Sequence, residues 1–179
     1  MKTIKVLQQS LFIAALFIVN AIASAQERPY KGQNDPEIFT EVRGFLNALN
    51  SGSGKPLEQL SVTDARNVLV GAQKSVEVDY SGIEESEKVI SQNGLKVKIH
   101  ITKPKGAKAN APVFIFIHGG GWVLGDYPTH RRLVRDLVVE SGAVAVFPDY
   151  TPSPEAQYPT AINEIYAATQ WVAENGKEI

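Results

Sequence analysis

The stretch Pro112-Val113-Phe114-Ile115-Phe116-Ile117-His118-Gly119-Gly120-Gly121-Trp122 decides the fold. Val113 to Ile117 is a short apolar run of branched and aromatic residues with no polar interruption. That is the pattern of a strand buried on both faces, as in a parallel sheet flanked by helices. Three glycines follow at once. A loop without Cβ atoms accepts positive φ and lets backbone N–H groups approach a ligand closely. In open α/β sheets ligands bind at the carboxyl ends of strands. The loop is therefore built to aim N–H donors at a negative group.

A phosphate is one candidate for that group. The Gly-x-Gly-x-x-Gly spacing fails because position 124 is Leu, and no Gly-Lys-Ser/Thr follows. The other candidate is the oxyanion of a tetrahedral acyl-transfer intermediate. His118-Gly119-Gly120-Gly121-Trp122 resembles the His-Gly-Gly-Gly oxyanion motif of α/β-hydrolase esterases and lipases, specifically the hormone-sensitive-lipase-like esterases. Downstream, Asp149-Tyr150, Pro154-Glu155 and Pro159 resemble that family's Asp-Tyr-Arg-Leu-Ala-Pro-Glu segment, with Thr151-Pro152-Ser153 in place of Arg-Leu-Ala. The resemblance runs from about Glu84 to Asn175 and implies an α/β fold, part of the α/β-hydrolase architecture. It implies that the N–H groups of Gly120 and Gly121 are oxyanion donors, that Gly119 permits the turn and that His118 braces the loop. Trp122 either lines an acyl or alcohol pocket or packs beneath the loop. Asp149, Tyr150 and Glu155 are implied as structural support beside the site, not as the catalytic acid.

Composition narrows the alternatives. The chain has 179 residues, one domain's worth of material, with a net charge of −1 and no basic stripe, which argues against nucleic acid as a partner. It has no Cys, so disulfides, thiolate zinc sites and thiol nucleophiles are excluded. His100, His118 and His130 lack the i, i+4 pairing of a helical zinc motif, and no metal or cofactor is expected.

In chain order, residues 1–25 read as a secretory signal peptide. Lys2 and Lys5 precede the apolar Leu11–Val19 core, and Ala23-Ser24-Ala25 is a small-x-small cleavage site. The mature protein is expected outside the cytoplasm from Gln26, without a stable membrane anchor. Residues 26–75 form a helical segment. Asp35-Pro36 opens one helix with Ile38, Phe39, Val42, Phe45, Leu46 and Leu49 on its apolar face, and Ser51-Gly52-Ser53-Gly54 ends it. A second helix spans Ser61 to Val70, capped by Ser61. In the resembling esterases such helices form a cap over the site; packing on the core is the other reading.

Residues 76–179 read as the partial hydrolase domain. Val76, Val78 and Tyr80 alternate as a half-buried strand, Glu84 to Ile90 is a second, and Asn93-Gly94 marks a turn. Leu95, Val97, Ile99 and Ile101 alternate with Lys96, Lys98 and His100, which places His100 on a solvent-facing side. After the glycine loop a helix over about Thr129 to Ser141 buries Leu133, Val134, Leu137 and Val138, leaves Arg131, Arg132 and Arg135 solvated, and stops at Gly142. Ala143 to Phe147 is a second buried strand, giving a βαβ unit. Pro159 opens a last helix with Ile162, Ile165, Thr169 and Val172 on one face.

Acyl transfer needs a nucleophile, a base, a group that orients the base, and oxyanion donors. No Gly-x-Ser-x-Gly occurs here; Ser51-Gly52-Ser53-Gly54 lacks the first Gly. The serine turn is expected after the strand that follows Asn175, with acid and His later, so the chain reads as the N-terminal half of a secreted serine carboxylesterase acting on small esters. The alternatives are a non-catalytic module of hydrolase descent and another carbonyl hydrolase, such as a lactonase or peptidase.

Overall fold

The computed structural model describes residues 36–50 and 54–179. The signal peptide expected over residues 1–25, Asp35 and residues 51–53 of the expected joint lie outside the described residues. The chain divides between Gly54 and Lys55 into two compact units. The first contributes helix α1, Thr40–Asn50, on which Phe39, just before the helix, and Val42 and Phe45 within it are exposed.

The second unit begins with a short 3-10 turn, Leu57–Gln59, and helix α2, Val62–Lys74. Ser61 caps α2 by accepting from the Asp64 N–H at 3.1 Å, satisfying one of the orphan donors of the first turn. Strand β1, Ile83–Gln92, and strand β2, Leu95–Pro104, form an antiparallel hairpin through Asn93-Gly94, where both residues take positive φ. Strand β3 is Val113–Ile115, helix α3 is Tyr127–Ser141, strand β4 is Val144–Asp149 and helix α4 is Thr160–Asn175. The sheet order is β1-β2-β4-β3, antiparallel between β2 and β4 and parallel between β4 and β3. The α/β class read from the sequence is the class observed.

Alternation along β4 divides the core. Val144 and Val146 join Ile90, Val97, Ile99 and Ile101 under Ala167, Ala168 and Trp171 of α4. Ala145 and Phe147 pack on the opposite face against Tyr127, Val134 and Val138 of α3. The sheet is thus covered on both faces, and its central strands are buried on both sides.

This double cover corrects several local expectations. His100 is buried, not solvent-facing, because α3 lies over the polar side of the β2 alternation. Its ring stacks on Tyr127 at 4.1 Å, with Nδ1 3.1 Å from Glu87 Oε1 and Nε2 3.5 Å from Asp149 Oδ2. Arg131 is not a free solvated side chain: it pairs with Glu85 and lies over the Tyr80 ring at 3.9 Å. Arg135 donates from Nε to Ser81 O at 3.0 Å. Val76 to Tyr80 is not a strand; the segment runs unpaired into β1, and its alternation reflects side chains lying toward α2 and α3. The α4 face is turned relative to the sequence reading: Ile165, Ala168 and Trp171 are buried, while Ile162 and Thr169 are exposed, because the larger Trp171 takes the inward position. Leu133 and Leu137 of α3 are likewise exposed. β3 is shorter than its apolar run and only half-buried, and Ile117 is 49% exposed. Among the described residues β3 is a sheet edge, which explains both observations.

Candidate active site

The glycine loop leaves the carboxyl end of β3 and is seated by a stack of rings. Phe147, at the end of β4, is fully buried and lies parallel to His118 at 5.2 Å. His118 in turn stacks on Tyr150 at 4.3 Å. The Tyr150 hydroxyl donates to His118 O at 2.9 Å, and His118 Nδ1 is 2.8 Å from Gly119 O, a contact that needs the proton on Nδ1. The loop's first peptides are therefore held by a buried imidazole and a buried phenol.

Beyond His118 the chain turns through left-handed backbone. Gly120 has φ +120°, Gly121 +62°, Trp122 +65° and Gly125 +91°. The turn closes on one carbonyl: the N–H groups of Val123 and Leu124 both donate to Gly120 O, at 3.2 and 2.9 Å. A Cβ on Gly120 would sit 2.1 Å from Leu124 O. A Cβ on Gly125 would sit 2.8 Å from His118 Nδ1 and 2.9 Å from Gly119 O. Both positions need glycine for space, not only for φ. The N–H groups of Gly120 and Gly121 meet no acceptor among the described residues, and both glycines are exposed. These two N–H groups are therefore left free to meet a ligand.

The segment after β4 forms the other wall. Ser153 N–H donates to Trp122 O at 2.7 Å. Thr151 is fixed by Glu164 of α4, which accepts from Thr151 N–H at 2.6 Å and from its hydroxyl at 3.0 Å. Trp122, tilted against Tyr150 and half-exposed, borders a cavity of about 290 Å3 that also touches Thr151, Ser153, Tyr158, Pro159 and Ile162. Trp122 thus both packs beside the loop and lines a cavity. Asp149 faces the other way, toward His100 and Lys98; its carboxyl is held below the usual range by the His100 hydrogen bond, against the opposing effect of burial.

The structure therefore brings His118, Gly119, Gly120, Gly121 and Trp122 into one loop braced by Tyr150. Three contributors escaped sequence reading: Arg66 on α2, Glu164 on α4 and Gly125. Gly125 carried a visible signal, a fourth glycine just past the loop; Arg66 and Glu164 carried none, because their partners lie far away in sequence. Among the described residues no cluster of three or more His, Asp or Glu could hold a metal ion.

Burial lowers the pKa of His118, and the nearby His130 adds to the effect; the Gly119 contact and the Asp149 and Asp126 charges oppose it. A depressed imidazole binds its proton less readily folded than unfolded. Its stability contribution is full above the ordinary value of 6.5 and is lost as pH falls through the folded value. Urea midpoints of the complete protein between about pH 8 and about pH 5 should fall with acidification, and His118→Gln should remove part of that slope. An unchanged slope in the variant would mean that His118 does not titrate in that way.

The comparisons agree with this architecture. A family model of the α/β hydrolase fold matches residues 114–179. The esterase LipI of Mycobacterium tuberculosis is 46% identical over 72 residues, 40% of this chain and 22% of the relative. The carboxylesterase NlhH of the same organism is 36% identical over 94 residues, 52% of this chain and 30% of the relative. The crystal structure of a thermostable esterase from Pseudomonas putida superposes with a TM-score of 0.77 at 63% identity, covering 80% of this chain and 45% of that one. The chain thus spans less than half the length of these relatives. On its sheet order, its glycine loop and these likenesses, the chain has the α/β-hydrolase fold and is similar to the N-terminal portion of esterases that share it.

Proposed function

We propose that the chain is part of an exported serine carboxylesterase that hydrolyses small esters, and that His118 to Trp122 is its oxyanion cradle. The observation that carries this reading is the pair of free N–H groups on Gly120 and Gly121 at the carboxyl end of a parallel strand. When a nucleophile adds to an ester carbonyl, the oxygen gains a full negative charge, and donors already in place stabilise that state more than the ester itself. The ring stack beneath His118 keeps the donors from reorganising. The ester-hydrolase names of LipI, NlhH and the Pseudomonas putida protein favour ester over amide or lactone.

In this proposal the nucleophile, base and acid belong to residues beyond these 179, since no Gly-x-Ser-x-Gly occurs among them. The apolar outer edge of β3, with Ile117 49% exposed, supports further sheet beside it in the complete protein. Export is supported by Lys2, Lys5, the Leu11–Val19 core and Ala23-Ser24-Ala25.

The complete reading frame should hydrolyse nitrophenyl acetate or butyrate, and a serine-directed phosphonate should block turnover by labelling one Ser in a Gly-x-Ser-x-Gly turn. Recovery from the periplasm or medium with Gln26 as first residue would support export. A complete protein that neither turns over these esters nor reacts with the phosphonate would overturn the esterase reading; turnover of lactones or amides in their place would redirect it.

A further inference from the structure

The oxyanion loop is held from below by His118 and Tyr150, but its exit is held from the side by a residue far away in sequence. Arg66, on α2, donates from Nε to Val123 O at 2.8 Å. Its Nη2 donates to Ser153 O at 3.1 Å, and its two Nη atoms clasp the Glu155 carboxylate at 2.7 and 2.9 Å. Ser153 N–H closes the ring of contacts by donating to Trp122 O at 2.7 Å. One guanidinium thus joins three pieces of chain: α2, the Val123–Leu124 peptide at the loop's exit and the segment after β4.

From this geometry we infer that Arg66 is a positioning residue for the oxyanion loop. The inference rests on the esterase reading above and deepens it.

The chemistry suits the task. Guanidinium is planar and carries five donors in a fixed fork, so it can serve a carboxylate with two of them while others take carbonyl oxygens. Each bond fixes a direction as well as a distance. The carbonyls of Trp122 and Val123 are the last two before the turn closes on Gly120 O. With both oriented from outside, the Gly120 to Leu124 turn has little freedom to rotate its peptides. Rotation would swing the Gly120 and Gly121 N–H groups away from a common target. A 1 Å misplacement of catalytic groups costs about 10²-fold in rate.

The clamp is charged across the working range of an esterase. Glu155 is brought down to about 2, first by the Arg66 hydrogen bond, and Arg66 is raised by the same contact. Because the Glu155 side chain is half-exposed, the pair acts here as a geometric device and not as a large store of stability. The clamp also gives α2 a role at the site that differs from simple packing: only one α2 residue, Ala65, is buried, and Arg66 beside it does the reaching.

The test uses the complete protein with Arg66→Met, Arg66→Lys and Glu155→Gln. Amide hydrogen exchange is followed at Val123 and Leu124, whose N–H groups close the turn. Arg66→Met should accelerate exchange at these two amides relative to β4. It should lower kcat for a nitrophenyl ester roughly 10- to 100-fold, leave KM within about twofold, and weaken a boronic acid that mimics the tetrahedral state in step with kcat. Arg66→Lys keeps the charge but presents a single nitrogen, so it should keep the wild-type melting temperature and still lose kcat. Glu155→Gln should give a smaller change of the same kind and serves if Arg66→Met does not fold. Unchanged exchange at Val123 and Leu124 in the folded variants would overturn the clamp, as would kcat and melting temperature falling and recovering together. A wild-type protein without ester turnover whose variants still lose this local protection would sink the esterase reading and leave the clamp standing.

Discussion

On the proposed esterase reading, Gly120→Ala in the complete protein is expected to reduce kcat by at least about 10²- to 10³-fold, the usual effect of losing one oxyanion donor. The reason is local and geometric. Gly120 sits at φ +120°, a region closed to side chains, and its new Cβ would lie 2.1 Å from the Leu124 carbonyl oxygen. That oxygen is backbone and cannot swing aside as a flexible side chain would. The turn has to open, and opening it breaks the bonds from Val123 and Leu124 to Gly120 O that define the cradle. Gly121→Ala is the informative contrast. At φ +62° nothing lies within 4 Å of its Cβ site, so alanine meets only the left-handed strain of roughly 1–2 kcal/mol. Gly121→Ala should therefore keep much of its activity while Gly120→Ala loses nearly all of it. Steady-state kinetics on a nitrophenyl ester, with melting curves to show both variants folded, checks the pair. Equal losses at the two positions would mean that the loop rearranges as a whole on substitution.

What was legible in the sequence follows from how local each feature is. Ala143 to Phe147 announces a buried strand, because burial on both faces removes polar residues from the chain itself; the Val113–Ile117 run announces a strand in the same way, but only Val113–Ile115 pairs, and it is half-buried at the edge of the described sheet. The glycine loop announces itself because three glycines in a row are rare in sequence, and at Gly120 the close Leu124 carbonyl leaves no room for a side chain. His100 was misread for a reason of the opposite kind. Alternation along β2 tells which residues point away from α4, but not that α3 covers the other face; a His between Lys98 and Thr102 looks solvated until Tyr127 is placed on it. The same holds for Arg131, whose partner Glu85 is brought opposite by the sheet. Arg66 is the limiting case. Its partners Val123, Ser153 and Glu155 are far along the chain, and Val123 and Ser153 contribute backbone oxygens that no residue type betrays. The α4 register failed more narrowly: a helix with Ile162, Ile165, Ala168, Trp171 and Val172 offers two overlapping apolar stripes, and packing volume decided between them.

Phe147→Ala should be the most damaging single core substitution, at about 3–5 kcal/mol. Against total stabilities of about 5–15 kcal/mol that is a large share. Phe147 is fully buried and is the hub of the ring cluster: His118 lies parallel at 5.2 Å, Phe116 parallel at 5.8 Å, and Tyr127 meets it edge-on at 5.2 Å. Truncation leaves a cavity walled by a sheet strand and α3, neither of which can collapse into it without breaking β4's pairing with β2 and β3. The substitution also removes the surface on which His118 rests, so the folded fraction should be catalytically impaired as well as small. Val134→Ala separates the two effects. Val134 is equally buried in the same α3-side cluster, yet it makes no ring contact with His118. It should lower the urea midpoint by less and leave kcat per folded molecule unchanged. If Phe147→Ala unfolded at the wild-type midpoint, the ring stack would not be what seats the loop. If it lost stability but kept full kcat per folded molecule, the brace would reside in the Tyr150 hydroxyl and the Arg66 contacts alone, because those bonds reach the loop without passing through Phe147.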